Sequence, residues 1–354
     1  MIYDRDEKLR RFYMRKNGNK AFVFGIVFLL LASGVFAQIV FDDFESSFSE
    51  FSDDVAQALP QASTIGLDWS DARVRGFPHF GAGLTVGAVM MPKDAFESLA
   101  TGLGVELPSE LTDSSLGVPL PSYTLDARLG LPFLPFDVGA KLGLLTPEMA
   151  ENFGGLGGVS ADYMLAGIEI RYPLLRGGLA LPAVALSAGY NYLSGGIGTT
   201  LEDTTGLGSS IDLSSIPGLA GTASMDYSDP DLRFAWKTHS LDFKVQASKK
   251  LLIFTPYIGG AYTYGWSKAG GGVSSDLTYT DTNEEEVKDA LEAAGYDVEL
   301  DGDSFTILSG ANGGALRAFG GFSVNLLVLN LDLNGQYNFT TQKIGGGVNL
   351  RVQF

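Results

Sequence analysis

Eleven ionisable residues share one local pattern: Asp126, Arg128, Asp137, Lys141, Glu169, Arg171, Asp242, Lys244, Arg317, Asp332 and Arg351 each stand between two apolar neighbours. Five are acids and six are bases, although the chain as a whole carries a net charge of −17. Charges placed at every second residue of an apolar run mark the inner wall of something closed. Two kinds of chemistry suit such a wall. It can select solutes by charge, or its members can pair across strands and fill a narrow interior, since buried charges must be paired. Both readings are open at this stage. Covalent chemistry has little to work with. The two histidines, His79 and His239, are expected at opposite ends of the molecule, and neither has a Ser–Asp set beside it. No catalytic set is therefore expected, and each histidine reads as an interfacial polar residue. Cysteine is absent, which removes disulfides and thiolate metal sites. Gly270-Gly271-Gly272 lacks the Lys-Ser/Thr of a nucleotide loop. The acidic sets Asp226, Asp229, Asp231 and Asp297, Asp301, Asp303 do not have EF-hand spacing. Neither a metal nor a cofactor is expected, and the acidic surface excludes nucleic acid as a partner.

The elements that position these charges alternate with a period of two. Ten segments do so: Pro78–Met91, Pro121–Leu131, Pro135–Leu145, Ala161–Tyr172, Leu181–Ser194, Trp236–Ser248, Thr255–Ser267, Leu316–Leu329, Leu331–Phe339 and Ile344–Phe354. In the third, Phe136, Val138, Ala140, Leu142 and Leu144 oppose Asp137, Gly139, Lys141 and Gly143. A soluble sheet with one wet face also alternates. Three features separate the cases. The apolar faces are nearly free of charge over lengths that suit a tilted spanning strand. Short turns near Pro132–Leu134, Arg176–Ala180, Lys249–Phe254 and Asn330 alternate with longer acidic loops at 92–120, 146–160, 195–235 and 268–314. Aromatic residues gather at strand ends: Tyr123, Tyr190, Tyr192, Trp236, Tyr262, Tyr264, Trp266, Tyr337 and Phe339 toward the loops, and Phe80, Phe136, Tyr172 and Phe354 toward the turns. Backbone polar groups in a bilayer must be satisfied by the sheet itself, so the sheet closes. The expected fold is all-β, a transmembrane antiparallel β-barrel of about ten strands. A strand pair in 195–235, or one near Ser63–Trp69, would raise the count to twelve.

Ahead of the barrel lie two further segments. Residues 1–37 combine a basic start with an apolar run from Ala21 to Ser33 and small residues at the expected cut, Val35 and Ala37. This is the pattern of a cleaved secretory signal, with Met14 as an alternative start and a retained anchor helix as the rival reading. Without its seven Lys/Arg and three Asp/Glu, 317 residues remain, with 17 bases, 38 acids and a net charge of −21. In segment 38–77, Phe41, Phe44, Phe48, Phe51, Val55 and Leu59 recur at helical spacing among acids. That predicts an amphipathic helix. It is expected to plug the barrel mouth, to lie beneath the barrel, or to bind a periplasmic partner. Short surface helices are expected at Ala95–Gly102 and around Glu284–Glu292.

The last strand, with Val348, Leu350, Val352 and terminal Phe354, resembles those of the bacterial outer-membrane β-barrel superfamily. The segment Leu129-Gly130-Leu131-Pro132-Phe133-Leu134-Pro135-Phe136-Asp137 is similar to uncharacterised barrels of spirochaete type, which resemble long-chain fatty-acid transporters loosely. No Asn-Pro-Ala hatch motif of that transporter family occurs near the expected mature N-terminus. The resemblance implies location in the bacterial outer membrane. It implies contact with outer-membrane lipid, and it makes Val348, Leu350, Val352 and Phe354 the signal read by the barrel-assembly machinery. Its functional implication is a passive channel or uptake barrel for a small solute, with hydrophobic solutes among the candidates. The alternative is a surface structural or binding barrel with a filled lumen. Neither is an enzyme.

Overall fold

A computed structural model describes residues 41–94, 97, 116–152, 159–200, 210–214, 216–293, 297–300 and 304–354. The expected signal segment lies outside the described residues, as does nearly all of the helix expected at Ala95–Gly102. The elements run α1 (Phe41–Ser63), β1 (Phe80–Met91), β2 (Val118–Gly130), β3 (Asp137–Leu145), α2 (Pro147–Asn152), β4 (Val159–Arg176), β5 (Ala183–Thr200) and β6 (Ser210–Asp212). They continue as β7 (Ser224–Ser248), β8 (Phe254–Thr280), α3 (Glu284–Ala293), β9 (Asp297–Leu300), β10 (Ser304–Leu326), β11 (Leu329–Asn338) and β12 (Ile344–Gln353).

Ten of the strands close into an antiparallel barrel in the order β1-β2-β3-β4-β5-β7-β8-β10-β11-β12, and the ring is sealed where β1 pairs with β12. Along that seam Leu84 faces Leu350 and Val86 faces Val348. Among the described residues two further strands do not span: β6 pairs with β7, and β9 with β10. Ser63–Trp69 forms no strand. The barrel is therefore ten-stranded.

The period-two reading assigns each side chain to lipid or interior. Leu125 and Ile258 are 66 % and 68 % exposed, whereas Asp126 beside Leu125 is 3 % exposed. No helix among the described residues is long and apolar enough to cross a membrane. The crossing is made by strands, as it must be when every backbone group has to find a partner within the sheet. An even strand count, short turns at one end and an apolar outer band are the architecture of a bacterial outer-membrane barrel, and that membrane is where the chain resides. A cation on this band is costly. Val86→Arg at mid-strand is expected to lower stability in lipid by about 2–4 kcal/mol, measured by urea titration in vesicles. A change below about 0.5 kcal/mol would remove Val86 from the lipid face.

Strand length differs from the sequence expectation on one side. β7 begins at Ser224 and β8 continues to Thr280, so much of the stretches 195–235 and 268–314 is strand rather than loop. Gly270-Gly271-Gly272 lies inside β8. Above the bilayer the outward face is no longer apolar, so hydropathy alternation stops although backbone pairing continues. There α3 covers the tall sheet, burying Val287, Ala290 and Leu291 with Leu213, Ile216 and Met225. β11 and β12, with 10 residues each, form a low wall beside β10. At the other end the turns are tipped by Phe133, Leu179, Leu252 and Leu327, all almost fully exposed.

Trp236 corrects the expected aromatic belt. It is 6 % exposed and packs inside against Phe234. It shares the inner face of β7 with Thr238, Ser240 and Asp242, which are also buried. Tyr190, Tyr262, Trp266, Tyr337 and Phe339 do face outward.

Candidate functional site

Inside the barrel lies the N-terminal segment. Helix α1 contacts β1, β2, β5, β7, β8 and β10. Phe48, Phe51, Val55 and Leu59 are buried, as their spacing predicts. The helix leans on the tall wall: Phe51 packs against Phe234 at 5.1 Å between ring centroids, and Phe48 seats over Gly271, where a Cβ would lie 2.4 Å from its ring. Its opposite stripe, Glu50, Asp53 and Gln57, is exposed. Asp54 accepts from Lys343 at 2.9 Å, and Ser309 donates to Asp53.

Beyond α1 the chain descends through the lumen as a strap, residues 64–76. The strap does not pair with the wall as a strand. Wall side chains hold its backbone instead. Lys141 donates to the carbonyls of Ser63 and Ile65, both at 2.7 Å. Arg128 donates to that of Leu67 at 2.7 Å, Gln246 to that of Trp69 at 2.7 Å, and Arg171 to that of Asp71 at 2.9 Å. Ser70 donates to Asp332 at 3.1 Å, and the Ala72 amide donates to Ser248 at 2.8 Å.

All eleven ionisable residues singled out in the sequence face inward and are buried. Arg171 makes a two-point contact with Asp137 at 2.9 and 2.6 Å, and Arg128 reaches Asp137 at 3.3 Å and also Glu169. Glu169 accepts from Lys244 as well, and Arg317 pairs with Asp242 at 3.1 Å. Arg351 pairs with Asp332. Asp126 is held by neutral donors: Thr85 at 2.6 Å, Trp69 at 3.1 Å and Asn349 at 3.2 Å. These long side chains lie flat across the rungs because glycines leave room between them. Gly139 sits between Arg128 and Glu169 in register, and Gly167 between Lys141 and Asn191. A Cβ at Gly167 would lie 2.7 Å from the Lys141 stem.

The strap adds a buried acid to this set. The wall alone carries six bases and five acids. Asp68 is the sixth acid, 2.8 Å from Lys244 and 3.7 Å from Arg317. Trp69, 1 % exposed, lies between two guanidinium groups, Arg351 at 4.8 Å and Arg128 at 5.4 Å from its ring. Cations over an aromatic face attract it, more strongly when desolvated. Gly81 opens the seat, since a Cβ there would lie 2.7 Å from the Trp69 ring. Asp68, Trp69, Asp71 and Gln246 were not singled out from the sequence. The surplus of one base on the wall was the one available hint. A cavity of about 10 Å³ remains among Thr64, Gly66, Lys141, Glu169 and Asp242, room for about one water molecule.

The two histidines lie apart, as expected. His79, in the turn before β1, is buried and contacts the backbone carbonyl of Phe354 and the side chain of Gln353. Burial pulls its imidazole below the ordinary value, partly offset by the Phe354 contact. His239 is on the outer face and contacts Tyr190 at 2.6 Å. Among the described residues no group of His, Asp or Glu is arranged to hold a metal ion. The side chains of Val348, Leu350, Val352 and Phe354 face lipid, between 38 % and 66 % exposed.

No protein-family model matches the chain, and no curated protein matches it. Among solved structures, the translocator domain of the autotransporter NalP from Neisseria meningitidis is similar at 12 % identity, covering 88 % of this chain and 99 % of that one, with a TM-score of 0.32. The outer membrane protease OmpT from Escherichia coli is similar at 9 % identity over 78 % and 97 %, TM-score 0.37. The Ralstonia pickettii toluene transporter TbuX is similar at 11 % identity over 91 % and 99 %, TM-score 0.25. At these identities and TM-scores the likeness assigns no activity to this chain.

Proposed function

We propose that this barrel is a passive uptake channel for a small polar solute, closed at rest by α1 and the strap. The carrying observation is how the strap is held. It occupies the lumen through side-chain contacts alone, with no strand pairing to the wall and, in a chain without cysteine, no disulfide. A segment held this way can leave without tearing the sheet. Its departure would uncover a wall of alternating acids and bases, which favours a zwitterionic or hydrogen-bonding solute over an apolar one. A lumen that admits a helix about 10–12 Å across is wide enough for a small hydrated molecule. Outer-membrane lipid surrounds the band, and the barrel-assembly machinery would read Val348, Leu350, Val352 and Phe354. No residue set supports catalysis in this reading.

Deleting residues 41–76 tests the proposal in planar bilayers. The intact chain is expected to stay silent and the deletion to conduct. A deletion that folds, judged by heat-modifiable gel mobility, yet does not conduct would overturn it. That outcome would favour the second reading, a surface structural or binding barrel with a permanently filled lumen. The tall sheet of β7, β8 and β10 with its α3 cover supports that reading, because it projects a built surface beyond the membrane.

A further inference from the structure

The direction in which the chain runs through the lumen is fixed by contacts to wall positions of known height. At the foot of the strap, the Phe77 amide donates to the carbonyl of Leu131, beside the short turn between β2 and β3. The Ala72 amide donates to Ser248 at the lower end of β7. Ser63 and Ser240 share a hydrogen bond of 2.7 Å. Pro60 packs on Gly265, which is paired with Ser240, and Phe48 packs on Gly271, which is paired with Phe234. Along β7 and β8 these positions climb from the short turns toward the long loops. The spacing is that of an upright helix. Pro60 to Phe48 covers about 18 Å along a helix axis, and Gly265 to Gly271 rises about 16 Å on a strand tilted by about 40°. The amino end of α1 therefore points away from the short turns, and α1 begins beyond Phe48, at Phe41.

Height places that end outside. From the turn tip Leu252 to Gly271 such a strand rises roughly 49 Å. That exceeds the thickness of a bilayer with both headgroup layers, about 40–45 Å. Just below Phe48 on the helix, Glu50 and Asp53 are open to solvent. Asp54 meets Lys343, in the hairpin that joins β11 and β12 on the long-loop side. β1 starts at the opposite end, where Phe80 pairs with Leu129 next to a short turn. Short turns face the periplasm and long loops the exterior, so the stretch from α1 to β1 has its two ends on opposite sides of the membrane.

We infer that this barrel displays its own amino-terminal segment on the outer surface of the cell. Hydrocarbon admits no unpaired backbone, so the segment reaches the exterior through the lumen of its own barrel, and the chain ahead of Phe41 leaves from the outer mouth. A polypeptide joined ahead of α1 would be carried to the same face. The display does not depend on whether the lumen conducts a solute.

Impermeant labelling tests the inference on the full chain in the outer membrane of a Gram-negative host. The absence of cysteine makes every introduced thiol unique. Glu50→Cys on α1 is compared with Glu285→Cys on α3, an outer site, and with Leu179→Cys on a short turn, an inner one; all three positions are exposed. A polymer-linked maleimide too large for the lumen is expected to label Glu50→Cys on intact cells as fully as Glu285→Cys. Leu179→Cys should react only after the outer membrane is opened. An epitope inserted ahead of Phe41 is expected to bind antibody on intact cells. Labelling of Glu50→Cys that waits for the membrane to be opened would overturn the direction of α1. An epitope that stays hidden until then, in a chain of native heat-modifiable mobility, would overturn the display.

Discussion

Asp68→Asn combined with Trp69→Ala is expected to turn a silent barrel into a conducting one without deleting any residue. Asp68 bridges Lys244 and Arg317, and Trp69 lies between Arg128 and Arg351. Removing one member of a buried ion pair costs about 3–5 kcal/mol. Truncating a buried tryptophan to alanine costs a similar amount, about 3–5 kcal/mol. Both losses fall on the closed state alone, because with the strap released both side chains meet water. Moving a two-state equilibrium from 1:99 to 99:1 takes about 5.5 kcal/mol. The pair of substitutions reaches that figure even if coupling between neighbours reduces the sum. Each single variant should show brief openings and the double variant sustained current. A double variant as silent as the parent would mean that α1, not the strap, closes the lumen. Separate deletion of α1 would then be the informative comparison.

The second large effect concerns the wall. Glu169 accepts from both Arg128 and Lys244 and is almost fully buried. Glu169→Gln leaves both cations short of a partner in a dry interior. A loss of about 3–5 kcal/mol is expected, read from urea unfolding in vesicles by tryptophan fluorescence. An open, water-filled lumen predicts something different: an ion pair in water is worth about 0–1 kcal/mol. The measurement therefore separates a packed interior from a wet one. A value below about 1 kcal/mol would deny that these charges hold the fold together. Ile168→Val, on the lipid-facing side of the same strand, serves as the control, since trimming a methylene there leaves no unpaired charge.

Glu169 also shows why two readings of the wall were open in the sequence. Selectivity lining and salt-bridge filling require the same alternation, so residue order alone does not separate them. In the structure the bases divide their donors between wall acids and strap carbonyls. Arg128 does both, reaching Asp137, Glu169 and the Leu67 carbonyl. In the closed state the charges act as packing. Once the strap leaves they would line a pore, so one set of residues can serve both roles in succession.

Alternation with a period of two determined the barrel from the sequence alone, because lipid and interior impose opposite demands on successive side chains at every spanning strand. For the same reason all eleven inward charges were legible, each being a polar exception between apolar neighbours. The spacing of Phe48, Phe51, Val55 and Leu59 likewise determined α1. Only the tertiary structure decided what fills the lumen. Asp68, Trp69 and Asp71 obey no local period, and their partners, such as Lys244 and Arg317, lie far away in the chain. Trp236 and the upper parts of β7 and β8 were hidden for a related reason. Above the bilayer the lipid no longer dictates which face is apolar, and a ring turns inward or outward according to what packs against it, here Phe234 and the helix.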